Sequence, residues 1–193
     1  MDNQPNAHQL VPYGDVRGLI RDADLLLFRR RSLISVAGRG EHSHAAKAAW
    51  WGPDLFLLET RALSGNRAVT LSSQVKQYPG RIDVYQVNPD DRWPEYDRAG
   101  ATRFMRRLAG MDYGYVGLFV AALFHVPFVR LLVRPEMDDK AVDSRPPCCS
   151  HACAMADRIG GGVDPVPHLA DRLTEPADLA RSPFYRYLFT LTP

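Results

Sequence analysis

The chain has 193 residues, 46% of them hydrophobic and 24% charged, with a formal net charge of +2 at pH 7. That length supports one domain with a real core and is short for two. The near-neutral charge, with no basic stripe interleaved with aromatics, gives no reason to expect a nucleic-acid partner.

In chain order, residues 1–22 read as an irregular leader with one helical turn, and 23–193 as a single domain. The polar start, Met1 to Asn6, lacks the basic-then-apolar pattern of a signal peptide. Asp24–Phe28 is a short apolar strand, and Ser43–Trp51 and Leu55–Thr60 are two more, with turn chemistry at Gly52-Pro53-Asp54 between them. Ala68–Tyr78 fits either helix or strand. Ile82–Val87 alternates and is a strand. Pro94–Ala109 has helical spacing at Ala101, Phe104, Met105 and Leu108, stopped by Gly110, and a further helix starts near Tyr115. The apolar run 116–130 is interrupted by His125 and Pro127, whereas a spanning helix needs roughly 20 apolar residues. A buried helix is expected there, with membrane-surface contact as the alternative and no transmembrane segment. Asp138–Pro147 reads as a loop, Cys149–Ile159 as a helix ended by three glycines, Thr174–Leu179 as a short capped helix, and Tyr185–Thr190 as a closing strand. Strands first, then helices, then a last strand argue for an α+β fold, an antiparallel sheet packed against helices.

The three cysteines, Cys148, Cys149 and Cys153, form one short cluster, so no disulfide framework is implied and a reducing, cytoplasmic setting is expected. Pro146 and Pro147 forbid helix before Cys149, while the small residues after it favour helix. A cysteine at a helix start has its thiolate stabilised by unpaired N–H groups and the helix dipole, which makes it a nucleophile. His44 is a base for it, and Glu59 can orient that base: Cys, His and a carboxylate are the parts of a cysteine hydrolase. If the hairpin centre falls between Trp51 and Gly52, residue 44 faces 59. If it falls between Gly52 and Pro53, residue 44 faces 61 and residue 59 faces 46. Either register puts His44 and Glu59 on one face. Alternatives stay open: Cys148 is one residue away, Cys153 one turn on, and His42 shares a strand face with His44. Zinc on Cys148, Cys149, His151 and Cys153 lacks a separated second pair of ligands, so no metal and no cofactor are expected.

The order of these motifs is similar to one known family. Ala23-Asp24-Leu25-Leu26-Leu27-Phe28 is followed by Ser43-His44-Ala45, an apolar strand ending in Glu59, a strand ending at Val87, Gly110-Met111-Asp112-Tyr113, Cys149-Ser150 opening a helix, and Thr174-x-Pro176-x-Asp178-Leu179. Together they resemble the circularly permuted papain-like cysteine hydrolases, the YiiX-like branch of the NlpC-type peptidases, over about residues 23–185. There the His precedes the Cys in the chain. The resemblance implies a permuted papain-like fold with Cys149 as nucleophile, His44 as general base and Glu59 as the orienting group. Tyr113 and Ser150 are then placed with substrate. It implies an amide, peptide or acyl substrate. The chain departs from the family at Ala23, commonly Gly, and at His151, often acidic. Three functions follow: a Cys-His-Glu hydrolase on an amide or peptide bond, an acyltransferase or thioesterase on a lipid-like acyl group, or a catalytically silent binding protein of the same fold.

Overall fold

The computed structural model describes residues 8–29, 40–61, 65–108 and 149–193. The expected helices near 115 and over 116–130, the 138–147 loop, Tyr113 and Cys148 lie outside the described residues. Seven strands form one sheet in the order β1-β7-β6-β2-β3-β4-β5. They are β1 (Leu10–Pro12), β2 (Leu25–Arg29), β3 (His42–Trp51), β4 (Asp54–Arg61), β5 (Gly65–Thr70), β6 (Ile82–Val87) and β7 (Tyr185–Thr192). Every pairing is antiparallel except the parallel contact of β1 with β7. The α+β expectation therefore agrees with the structure.

The period-two alternation of the strands makes two cores, one on each face of the sheet. Leu25, Leu27, Ala45, Tyr85 and Val87 pack with Ala101, Cys153, Ala154, Leu179, Phe184 and Tyr185. On this side lie α3 (Arg98–Arg107), α4 (Cys149–Met155) and α5 (Pro176–Arg181). Leu26, Phe28, Ala46, Ala48, Leu55, Leu57, Ile82 and Val84 pack instead with Leu71 and Val75 of α2 (Leu71–Gln77), and with Val16 and Ile20. The stretch that read as either helix or strand is thus both: 68–70 end β5, and the helix follows from Leu71.

The leader expectation needs correcting. Residues 10–12 are a strand, Tyr13–Val16 is the short helix α1, and Ile20 is 1% exposed. Only three residues of strand are involved, too few for alternation to be read from sequence. Their partner, β7, closes the chain at the other end, with Thr190 N–H donating to the Gln9 carbonyl at 2.8 Å.

The β3–β4 hairpin turns on Gly52 and Pro53, with Trp51 opposite Asp54 and Ala46 opposite Glu59. Gly52 has φ +59°, and Pro53 fixes the second central residue at negative φ. That combination selects the II′ turn, whose twist suits a tight hairpin. Of the two registers open to the sequence, the Gly52/Pro53 centre is the one adopted.

The helix that begins at Cys149 is not uniform: α over 149–155 gives way to π geometry over Ala156–Gly160. Gly160 does more than stop the helix. A Cβ there would sit 2.7 Å from the Gly100 carbonyl, and one on Gly100 would sit 2.1 Å from the Gly160 carbonyl. The two glycines let α3 and the π segment cross backbone against backbone. Asp97 caps α3 by accepting the Gly100 N–H at 2.8 Å, and Pro176 begins α5, where Asp178 accepts the Glu175 N–H at 3.0 Å.

Candidate active site

β3 carries both histidines of the expected site, and a bulge separates them. Phe28 pairs with His44 and Arg29 with His42, so Ser43 is left over. An extra residue in one strand breaks the alternation. The expectation that His42 and His44 share a face is therefore wrong: it counted two residues and could not see the slip. His42 turns to Asp83 on β6, its Nε2 2.8 Å from Oδ2, with its ring edge-on to Tyr85. His44 turns the other way, its ring edge-on to Phe28 at 5.3 Å between centroids, with Nε2 2.5 Å from Glu59 Oε2.

With Nε2 engaged by Glu59, the other ring nitrogen of His44 is left for the Cys149 side chain, which is its hydrogen-bond partner. Cys149 opens α4 at 5% exposure, and its sulfur also accepts the backbone N–H groups of Ala45 and Ser150. The Ala45 amide is available because the β3–β4 ladder ends at Ala46–Glu59 although both strands run on. Diverging strands and a helix start thus meet at one sulfur. Glu59 is itself held from the edge strand: Arg67 on β5 donates through Nε at 2.8 Å and lies 2.6 Å away through Nη2.

The electrostatics follow from this chain. Burial of the Cys149 thiol would raise its pKa, but the hydrogen bond and charge of His44, with the two backbone amides, bring it below the ordinary thiol value. Burial would lower the pKa of His44. The hydrogen bonds and negative charge of Cys149 and Glu59 outweigh that and raise it to about 9. Burial likewise opposes ionisation of Glu59, and His44 and Arg67 reverse it, leaving its pKa lowered. With Cys149 ionised and His44 protonated, a thiolate, an imidazolium, a carboxylate and a guanidinium alternate in sign along one line. Such an arrangement favours the ionised sulfur and can return a proton from the imidazolium.

Of the expected site residues, Cys149, His44 and Glu59 are brought together. Ser150 is 3% exposed and sits at the sulfur through its N–H, and Tyr113 lies outside the described residues. Cys153 is fully buried in the helix-side core. Among the described residues, no group of three or more His, Cys, Asp or Glu side chains converges to hold a metal ion, and no helix is long and apolar enough to cross a membrane. Arg67 and the Ala45 amide were missed. A lone arginine on a short polar strand carries no local signal; its register opposite Glu59 is what matters.

No protein-family model matches the chain, and no curated protein matches it. Among solved structures it is similar to the crystal structure of the metalloprotein YiiX from Escherichia coli O157:H7 (DUF1105). The identity is 11% and the TM-score 0.60, over 90% of this chain and 99% of that one. At that identity the likeness is one of fold: the chain has a YiiX-like α+β fold.

Proposed function

We propose that this protein is a cysteine-dependent hydrolase of amide or peptide bonds on a circularly permuted papain-like (NlpC-type) scaffold. Cys149 is the nucleophile, His44 the general base and acid, and Glu59 the group that orients His44. The observation that carries the reading is the unbroken hydrogen-bond line Cys149–His44–Glu59–Arg67. The YiiX-like fold and the chain order, His before Cys, support the permuted scaffold.

In the resting pair, His44 holds the proton and Cys149 is thiolate. The thiolate attacks the substrate carbonyl carbon, forming a C–S bond while the π pair moves to oxygen. Collapse breaks the C–N bond, and the imidazolium gives its proton to the leaving amine. His44, now neutral, takes a proton from water as it attacks the thioester. The carboxylic acid leaves, and the thiolate and imidazolium are restored. Backbone N–H groups at the start of α4 are the donors for the oxyanion. Glu59 fixes the ring and stabilises the imidazolium, and Arg67 keeps Glu59 ionised.

YiiX is described as a metalloprotein. In this chain the donor set around Cys149 does not fit a metal. Glu59 and Cys149 engage the two nitrogens of His44, and a metal ligand needs one of those lone pairs free. No step here runs through a metal. A cytoplasmic setting keeps the thiols reduced.

The test is turnover of short peptide amides beside a long-chain acyl thioester, each with wild type and Cys149→Ala. Cys149-dependent amide cleavage is expected. Turnover of the thioester alone would replace the amidase by an acyl-chain enzyme. No Cys149-dependent turnover of either, with Cys149 labelling only in the ordinary thiol range, would leave a binding protein of this fold.

A further inference from the structure

β3 reads Ala45-Ala46-Lys47-Ala48-Ala49, a lysine in an alanine strand, and Lys47 is fully buried. Its ammonium group has three partners: Asp157 Oδ2 at 2.6 Å, the Ala23 carbonyl at 3.1 Å and the Tyr185 hydroxyl at 3.4 Å. The same nitrogen lies 4.9 Å from the Tyr185 ring centroid. Asp157, also fully buried, accepts the Tyr185 hydroxyl on Oδ2 and the Tyr96 hydroxyl on Oδ1 at 2.6 Å. Burial and the Asp157 charge hold both tyrosines well above the ordinary phenol pKa, so both remain donors. Every proton of the lysine and both oxygens of the carboxylate are used.

Stability does not explain such a pair. A buried ion pair costs more desolvation than an apolar pair of the same volume, and its best-attested use is to fix one register among several. This interface needs that. α4 and its π continuation lie along β3 in the same direction: Cys149 meets Ala45, and Ala152 and Ala156 pack with Ala49. Alanine on alanine has little shape, so the contact with β3 alone fixes the axial register of the helix only weakly. Asp157 lies eight residues, about 12 Å, beyond Cys149 at 1.5 Å per residue. Lys47 lies two residues, about 7 Å, beyond Ala45 on the strand. The lysine stem spans the difference.

We propose that the Lys47–Asp157 pair, with Tyr96 and Tyr185, is a positioning device that sets the axial register of the nucleophile helix on β3, and so places the Cys149 sulfur at the Ala45 amide and His44. It acts through the helix and touches no substrate. The π turn at 156–160 is where the helix is reshaped so that Asp157 faces the strand while Gly160 crosses α3. This inference rests on Cys149 being the activated thiol of the proposed hydrolase.

The experiment reads Cys149 alkylation by iodoacetamide against pH, mapped by mass spectrometry, alongside thermal unfolding. The main variant is Lys47→Met with Asp157→Asn, which removes the charges but leaves partners for both tyrosine hydroxyls. Near neutral pH its Cys149 labelling is expected to fall by about tenfold or more, the scale of a sub-ångström misplacement. Its pH profile should move toward that of an ordinary thiol. Tyr96→Phe removes a single hydrogen bond, keeps the fold, and should shift the profile in the same direction by a smaller amount. Leu179→Ala, a core deletion on α5, should lower the melting temperature without moving the profile. If Tyr96→Phe and the folded double variant both keep the wild-type profile, the positioning role is overturned. If the double variant does not fold, an unshifted Tyr96→Phe profile overturns it alone. A wild-type Cys149 that labels only in the ordinary thiol range would instead sink the hydrolase reading.

Discussion

Two histidines two residues apart on β3 each face a carboxylate, and they are set up for different work. His42 is 2% exposed, bonded to Asp83 through Nε2, with Nδ1 buried and without a hydrogen-bond partner among the described residues. Asp83 is further tied to Thr190 Oγ1 at 2.5 Å and lies 3.1 Å from Arg29 Nε. His44 keeps a side-chain exposure of 21% and joins Glu59 to a sulfur. A carboxylate behind a histidine does not make a general base. The group at the other nitrogen, and access to it, decide the matter. His42–Asp83 joins strands β3, β6 and β7, whereas His44–Glu59 serves Cys149.

The largest effect that sharpens this contrast is at the sulfur. Cys149→Ala is expected to abolish amide turnover, read as product release, with the fold intact by circular dichroism. Next, His44→Ala should lower kcat by about 10²–10⁴-fold, the range for a general acid–base group. His42→Ala should instead act on stability, costing about 1–3 kcal/mol for the buried charge-assisted hydrogen bond lost from Asp83. Urea unfolding of the two variants checks the division. If His42→Ala slows turnover as much as His44→Ala with stability unchanged, the assignment of roles is reversed.

The pH profile comes third. The Cys149 thiol is lowered and His44 is raised to about 9, so the thiolate–imidazolium pair fills the window between them. The kcat/KM profile should fall on the alkaline side near pH 9, as His44 loses the proton it owes the leaving amine. The same shift bears on folding. A histidine raised from 6.5 contributes stability that is complete below its unfolded value and disappears as pH climbs through about 9, but the lowered Cys149 thiol contributes more as pH rises over the same range and offsets that loss. Glu59 and Asp83 have the opposite sign. Both are lowered, so their contributions hold above their unfolded values, 4.5 and 3.8, and disappear as pH falls through the lowered folded ones. Melting temperature against pH should therefore drop at the acid end.

The smallest effect concerns Arg67. Arg67→Ala should leave Cys149 and His44 in place and reduce kcat by roughly tenfold or less, an outer-shell effect. It should also move the alkaline limb below 9, because a less firmly ionised Glu59 supports the imidazolium less. A rate loss without movement of that limb would mean that Arg67 only braces the edge strand.

Much of the fold was legible from local pattern. Ile82–Val87 alternates and is a strand with those bounds, Gly52-Pro53 turns the hairpin, and Pro176 and Asp178 sit where a helix start needs them. The parts of the proposed site were legible too, with His42 left beside His44, because Cys149 stands just after two prolines and His44 and Glu59 flank one turn. The rest depended on partners far along the chain. The bulge at Ser43 exists because β3 must pair with β2 in a shifted register past Phe28, and nothing within residues 42–44 encodes that. β1 is three residues long and is a strand only because β7 offers it an edge.

The sequence by itself determined most of the elements, the place of the turn and the chemical parts, since periodicity, proline, glycine and side-chain type are local properties. The tertiary structure alone decided which histidine meets the cysteine, that Arg67 faces Glu59, and that Lys47 finds Asp157 110 residues away. The physical reason is that a buried charge or a strand edge is satisfied by whatever group packing brings to it, and packing is set by the whole chain at once.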